Sequence, residues 1–225
     1  MHLEEALSSK MDIKAFIFDM DGLLFDSERI VQRSWEMAGD ELGIPHMGDV
    51  IYHTLGMNRT GRNEYFRKYI REDFPFEEFG RLTRDNFWKI VDKEGLPLKK
   101  GAKELLAYGK SQGYKMAVAT SSSREYAMGN LIRAGIDSYF DSVVCGDMVK
   151  KAKPDPEIYQ KACESLGIQP EYCMAFEDAP GGILSAHQAG MQVIMVPDLV
   201  QPTQEIRELT YRVCDSLADV IGILN

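Results

Sequence analysis

The sequence predicts an α/β fold: a parallel-sheet core with a helical cap inserted into it. Two patterns predict it. Short apolar runs of strand length alternate with helical periodicity through the second half of the chain, as in sheets wound on both faces. The first run is separated from the second by about ninety residues of helical character, far more than one crossover needs.

The first strand is the run Ile13-Lys14-Ala15-Phe16-Ile17-Phe18, cut off by Asp19-Met20-Asp21-Gly22. Runs at Lys115 to Ala119, Ser142 to Cys145, Tyr172 to Phe176 and Gln192 to Val196 read as further strands. Between them, helical spacing marks Ala102 to Gln112, Glu125 to Ala134, Pro156 to Leu166 and Gly181 to Ala189. Within the insertion, helices are expected near Ser27 to Leu42, Asp49 to Leu55, Arg62 to Arg71 and Glu77 to Lys93. Breakers such as Gly43-Ile44-Pro45 and Gly56-Met57-Asn58 separate them. Residues 1–27 and 97–225 are therefore assigned to the core and residues 28–96 to the cap. A bundle inserted after the first strand sits over the carboxyl ends of the strands, where open parallel sheets bind ligands. Met1 to Met11 is polar, helix-permissive and without recognisable chemistry.

A formal charge of −9 argues against nucleic acid as a partner, because phosphate-backbone binding needs clustered Lys and Arg. One basic pocket for a small anion remains compatible with that charge. The four cysteines, Cys145, Cys163, Cys173 and Cys214, show no metal-site spacing and read as reduced core residues. No stretch approaches the length of a membrane helix, and Met1 to Lys10 lacks an apolar signal core, so no membrane partner and a cytoplasmic location are expected.

Four clusters carry chemistry. Asp19 and Asp21, two apart at a strand's carboxyl end, point the same way and can address one ligand. Two close carboxylates repel unless a cation or shared proton compensates, and Mg2+ is the common choice where phosphate is the substrate. Asp-x-Asp-Gly also suits a plain turn or a calcium loop. Thr120-Ser121-Ser122, at the tip of the second strand, offers hydroxyls and amides to a phosphate oxygen, or else Ser122 or Ser123 caps the next helix. In Lys153-Pro154-Asp155-Pro156, Asp155 and Pro156 read as a helix start, which leaves Lys153 to neutralise a buried anionic cluster. Glu177 and Asp178, at a fourth tip, would complete an oxygen cage for the ion, with a helix cap at Asp178 as the alternative.

In order and content, these motifs resemble the haloacid dehalogenase superfamily, in its subgroup with a helical cap that includes β-phosphoglucomutase and small sugar-phosphate phosphatases. The stretches Phe18 to Glu28, Phe176-Glu177-Asp178 leading to Gly182, and Ala189-Gly190-Met191 are characteristic of it. The resemblance spans nearly the whole chain from Ile13 and implies a Rossmann-like core. It implies that Asp19 forms an aspartyl-phosphate and that Asp21 is general acid and then general base. Thr120, Ser121 and Lys153 would hold phosphoryl oxygens. Asp19, Asp178 and the Asp21 carbonyl would surround Mg2+, with Glu177 nearby through water. In the mutases a cap histidine a turn before a tryptophan restrains hydrolysis; here Trp35 matches the tryptophan but Val31 stands for the histidine, which favours hydrolysis. Arg59 aligns with a cap arginine that binds a distal phosphate, so it either grips a second anion or is surface charge.

The expectation is a Mg2+-dependent phosphatase acting on a small phosphorylated metabolite, a sugar or nucleoside phosphate, as a monomer or weak homodimer. A phosphosugar mutase and a non-catalytic phosphate- or metal-binding module are the alternatives. Trp35, Phe66, Tyr69 and Trp88 are expected mostly in the cap's own core.

Overall fold

The computed structural model describes residues 12–54 and 59–224, with the Arg59 side chain outside that description. Its centre is a parallel six-stranded sheet of β1 (Ala15–Phe18), β2 (Lys115–Ala119), β3 (Ser142–Val144), β4 (Cys173–Glu177), β5 (Gln192–Met195) and β6 (Arg212–Val213), ordered β3-β2-β1-β4-β5-β6. The helices are α1 (Ser27–Glu41), α2 (Met47–His53), α3 (Arg59–Tyr69), α4 (Phe76–Glu94), α5 (Ala102–Ser111), α6 (Arg124–Arg133), α7 (Glu157–Leu166), α8 (Pro180–Gln188), α9 (Gln204–Leu209) and α10 (Leu217–Leu224).

Period-two side chains divide each central strand between two cores. Phe16 and Phe18 of β1, Met116 and Val118 of β2, and Met174 and Phe176 of β4 face one side, against α5, α6 and α10. Ala15 and Ile17, Ala117 and Ala119, and Cys173 and Ala175 face the other, against α7, α8 and α9. The first face is large and aromatic: Phe18 stacks on Phe176 at 4.8 Å between ring centroids, and Phe16 meets Phe176 edge-on at 5.3 Å. The second face is built of small side chains, which lets α7 lie close to the sheet and bury Tyr159 completely.

The chain leaves β1 through Leu24 to Asp26 and returns through Pro97 to Lys99, and these two segments pair. The Asp26 amide donates to the Pro97 carbonyl and the Lys99 amide to the Leu24 carbonyl, both at 2.8 Å. Between them α1 to α4 bury a core of their own, in which Trp35 meets Phe66 and Phe79 edge-on at 5.6 and 5.7 Å. Trp35 and Phe66 are thus core residues as expected, whereas Tyr69 and Trp88 are 60% and 42% exposed. Their places on α3 and α4 turn them away from the apolar stripe.

The five strands legible in the sequence are present to within two residues at each end. β6, α9 and α10 have no counterpart in the sequence reading, because a two-residue edge strand shows no periodicity and α9 has only six residues. At α7 the helix begins at Glu157, one residue later than read; Pro156 is the cap position, and Asp155 Oδ1 accepts from the Glu157 amide at 3.1 Å. The breaker Gly56-Met57-Asn58 lies outside the described residues.

The Phe18–Phe176 stack bonds two neighbouring strands whose tips carry the polar residues described next. Phe176→Ala is expected to lower the unfolding free energy by about 3–5 kcal/mol, measured by urea denaturation, with Phe176→Leu losing clearly less.

Candidate active site

Asp19 directly follows β1, and its amide donates to the Phe176 carbonyl at 3.0 Å, so the chain stays in register with β4 past the strand's end. Thr120, following β2, is fixed the same way by the Val144 carbonyl at 3.0 Å. Glu177 ends β4 and Asp178 follows it. The tips of β2, β1 and β4 therefore present their polar residues side by side, at the point where the connections diverge to opposite edges of the sheet. Asp19, Asp21, Glu28, Thr120, Ser121, Ser122, Lys153, Glu177, Asp178 and Gly182 line one cavity of about 300 Å³.

Lys153 is the pivot. Its ammonium donates to Asp19 Oδ1 and to Glu177 Oε1, each at 2.6 Å, and to the Ala119 carbonyl at 3.0 Å. Tyr159 of α7 also donates to Glu177 Oε1. Burial opposes the charge on Lys153, but Asp19 and Glu177 outweigh it and hold the ammonium above the ordinary lysine range. Burial, reinforced by the Glu177 charge, pushes Asp19 up to about 7. Burial, then the charges of Asp19 and Glu177, pushes Asp178 well above the carboxylate range.

Carboxylate oxygens of Asp19, Glu177 and Asp178 lie within 4.8 Å of one another. Three carboxylates against one ammonium leave negative charge that burial makes costly, and hard oxygen donors so gathered fit a divalent cation. Two glycines make room for the cluster. At Gly22, φ is +83° and a Cβ would fall 2.3 Å from Asp178 Oδ2; at Gly182 a Cβ would fall 2.0 Å from the Glu177 carboxyl carbon.

Asp21 is held apart from the three. Ser122 Oγ donates to Asp21 Oδ2 at 2.7 Å and the Tyr126 hydroxyl to Asp21 Oδ1 at 3.0 Å. Its carboxylate is thus engaged by hydroxyls, and only its backbone remains for the cation role given to Asp21. Burial and then the charge of Asp21 hold the Tyr126 phenol well above its ordinary range. Thr120 is buried and its Oγ1 accepts from the Ser122 amide at 3.2 Å, while Ser121 is exposed at the rim. Ser123, not Ser122, caps α6, accepting from the Tyr126 amide at 3.4 Å, and Asp178 caps nothing: the cap of α8 is Ala179.

Asp19, Asp21, Thr120, Ser121, Lys153, Glu177 and Asp178, all named from the sequence, meet in this cavity. Arg59 opens α3, and its side chain lies outside the described residues. Tyr126, Tyr159 and Glu28 were missed. A helical-wheel reading would have placed Tyr159 on the buried stripe of α7, but nothing local points to Tyr126 or Glu28.

A model of the family described as haloacid dehalogenase-like hydrolase matches residues 16–196, from β1 to just past β5. The chain belongs to that family. The phosphorylated carbohydrates phosphatase of Thermotoga maritima is 33% identical over 182 residues, 81% of this chain and 84% of that protein. Hexitol phosphatase A of Escherichia coli is 32% identical, over 83% and 84% of the two chains. The crystal structure of a mutant CbbY from Rhodobacter sphaeroides in complex with xylulose-(1,5)bisphosphate superposes with a TM-score of 0.71 at 26% identity, covering 92% of this chain and 96% of that one. This haloacid dehalogenase-like hydrolase therefore has relatives named for action on phosphorylated carbohydrates.

A protonated carboxyl must lose its proton before it ligates a cation, and both Asp19, at about 7, and Asp178 are raised, so affinity should rise with pH through neutrality. Lowering the pH from 8 to 6 is expected to weaken divalent-cation binding about tenfold, measured by titration calorimetry in two buffers of different ionisation enthalpy to count the protons released. Gly182→Ala must displace the Glu177 carboxyl and with it Lys153, a misplacement expected to lower kcat/KM at least about 100-fold while circular dichroism still shows a folded chain.

Proposed function

We propose that this protein is a Mg2+-dependent phosphatase that hydrolyses a small phosphomonoester, of the sugar-phosphate or nucleoside-phosphate class, through an aspartyl-phosphate on Asp19. One observation carries the reading. Asp19 lies buried at a central strand tip with Oδ1 fixed by Lys153, so its second oxygen is presented to a cavity that also holds Thr120, Ser121 and Asp21. The names of the carbohydrate and hexitol phosphatases support the same substrate class.

The chemistry follows from the residues present. The free oxygen of Asp19 attacks phosphorus while Thr120, Ser121 and Lys153 orient the phosphoryl oxygens; the departing alcohol takes a proton from Asp21. Asp21 then takes a proton from the water that attacks the aspartyl-phosphate, which restores Asp19 and releases inorganic phosphate. Asp19, Asp178 and the Asp21 carbonyl, with Glu177 beside them, would hold Mg2+, which would neutralise phosphoryl charge. Lys153 contributes to the same end and opposes the burial and the Glu177 charge that raise Asp19, favouring its ionised, nucleophilic form.

Val31 favours hydrolysis over the mutase reading: it lines the space beside Trp35 and Tyr126 and carries no group able to hold a proton there. We take residues 28–96 as the cap and 1–27 with 97–225 as the core, a division supported by the paired linkers at Leu24 to Asp26 and Pro97 to Lys99. Four free, buried cysteines support a reducing compartment such as the cytoplasm.

The test is phosphate release from a panel of phosphosugars, nucleotides and p-nitrophenyl phosphate, with and without Mg2+. Release is expected to need Mg2+ and to vanish in Asp19→Asn, while Asp21→Asn lowers it about 10²- to 10⁴-fold. Undiminished release from Asp19→Asn would sink the covalent mechanism, and accumulation of an isomerised phosphosugar instead of phosphate would move the assignment to a mutase.

A further inference from the structure

The hydroxyl of Tyr126 has no part in the mechanism above, yet it reaches the residue that handles the leaving group. Tyr126 lies on α6 of the sheet core, and its hydroxyl donates to Asp21 Oδ1 at 3.0 Å. Its ring lies against Trp88 at 5.6 Å and Phe87 at 6.1 Å between centroids, both on α4 across the boundary with the helical unit. The same ring forms one wall of a cavity of about 230 Å³ whose other walls include Val31, Trp35, Phe87 and Trp88. Trp88 is 42% exposed there, although a ring of that size is usually largely buried.

We propose that Tyr126 is a positioning residue for proton transfer: its hydroxyl holds the Asp21 carboxyl toward the leaving-group side of the cavity, while its ring is fixed by the two cap aromatics. This rests on the phosphatase reading, in which Asp21 protonates the departing alcohol. A hydroxyl suits the task because it can donate to the ionised carboxyl and accept from the protonated one. With Ser122 on the other oxygen at 2.7 Å, the carboxyl is gripped from both sides in either state. An ammonium or a backbone amide in that place could donate but could not accept the proton-bearing oxygen's hydrogen bond. The rigid setting of the ring matters too, since a general acid acts only from a fixed position relative to the atom it serves.

The expected signature is a dependence on the leaving group. An alkoxide must be protonated as it leaves, whereas p-nitrophenolate is a stable anion that departs without a proton. The ratio kcat/KM reports events up to that departure, so it isolates the step. Tyr126→Phe retains the ring and its packing. It should lower kcat/KM at least about tenfold for glycerol 3-phosphate or a hexose phosphate, and by less than about threefold for p-nitrophenyl phosphate, with KM nearly constant and the melting temperature close to wild type. Asp21→Asn, assayed beside it, should show the same contrast more strongly. If Asp21→Asn shows the contrast and Tyr126→Phe lowers both substrates equally, or neither, the role assigned to Tyr126 is overturned while the phosphatase reading stands. If Asp21→Asn itself shows no contrast, the acid role of Asp21 fails and this proposal falls with it.

Discussion

The site depends on one buried ammonium. Lys153 bridges Asp19 and Glu177, and without it three carboxylates would be gathered where burial already raises the cost of ionising Asp19 and Asp178. Removing a partner from such a group leaves uncompensated charge in a poorly solvated place, which is far more costly than losing an exposed ion pair. The contrast within the same molecule is plain: the Arg81 pairs with Glu78 and Asp85 are about half exposed on α4 and contribute little. The lysine therefore has two functions that cannot be separated. It makes the acidic cluster compatible with folding, and it pulls the Asp19 carboxyl down against burial and the Glu177 charge.

The sheet's asymmetry is what brings this lysine and its supporting phenol to the cluster. Alanines on one face of β1 and β2 allow α7 to approach, so Tyr159 reaches Glu177 from beneath the tips and the segment before α7 delivers Lys153 from the same side. The opposite face is filled by phenylalanines that fix the spacing of β1 and β4. A larger residue at Ala117 would displace α7 and, through Tyr159 and Lys153, disturb a site it does not touch. Packing and chemistry are thus coupled through helix-to-sheet distance.

Much of this was legible in the sequence because the chemistry sits where the chain changes character. An apolar run followed at once by Asp19, Thr120 or Glu177 marks a strand tip, and a parallel sheet brings successive tips together whatever the details of the loops. The helices between the first two strands were legible for a similar reason, since a helical stretch too long for a crossover stands out between two strand runs. The edge was not: β6 is two residues long, and its place was set by the Tyr211 and Cys214 amides bonding to β5 rather than by any pattern of its own. The aromatic residues were legible only in part. Period alone does not say which side of α4 carries Phe79 into the core and leaves Trp88 beside Tyr126.

Tyr126 escaped notice for a physical reason that applies beyond it. Residues that touch the reacting atoms must stand at strand tips, and a tip is a one-dimensional signal. Residues that hold those groups in place come from helix faces whose rotation is fixed by packing elsewhere. On α6, Ala127 and Leu131 bury against the sheet, Ser123 caps the first turn, and these two constraints turn Tyr126 toward Asp21. No local motif records that outcome, since any residue one position before the buried Ala127 would be turned the same way. The position of Asp19 follows from the order of motifs in the chain, whereas the grip of Tyr126 on Asp21 follows from how one helix is seated on the sheet.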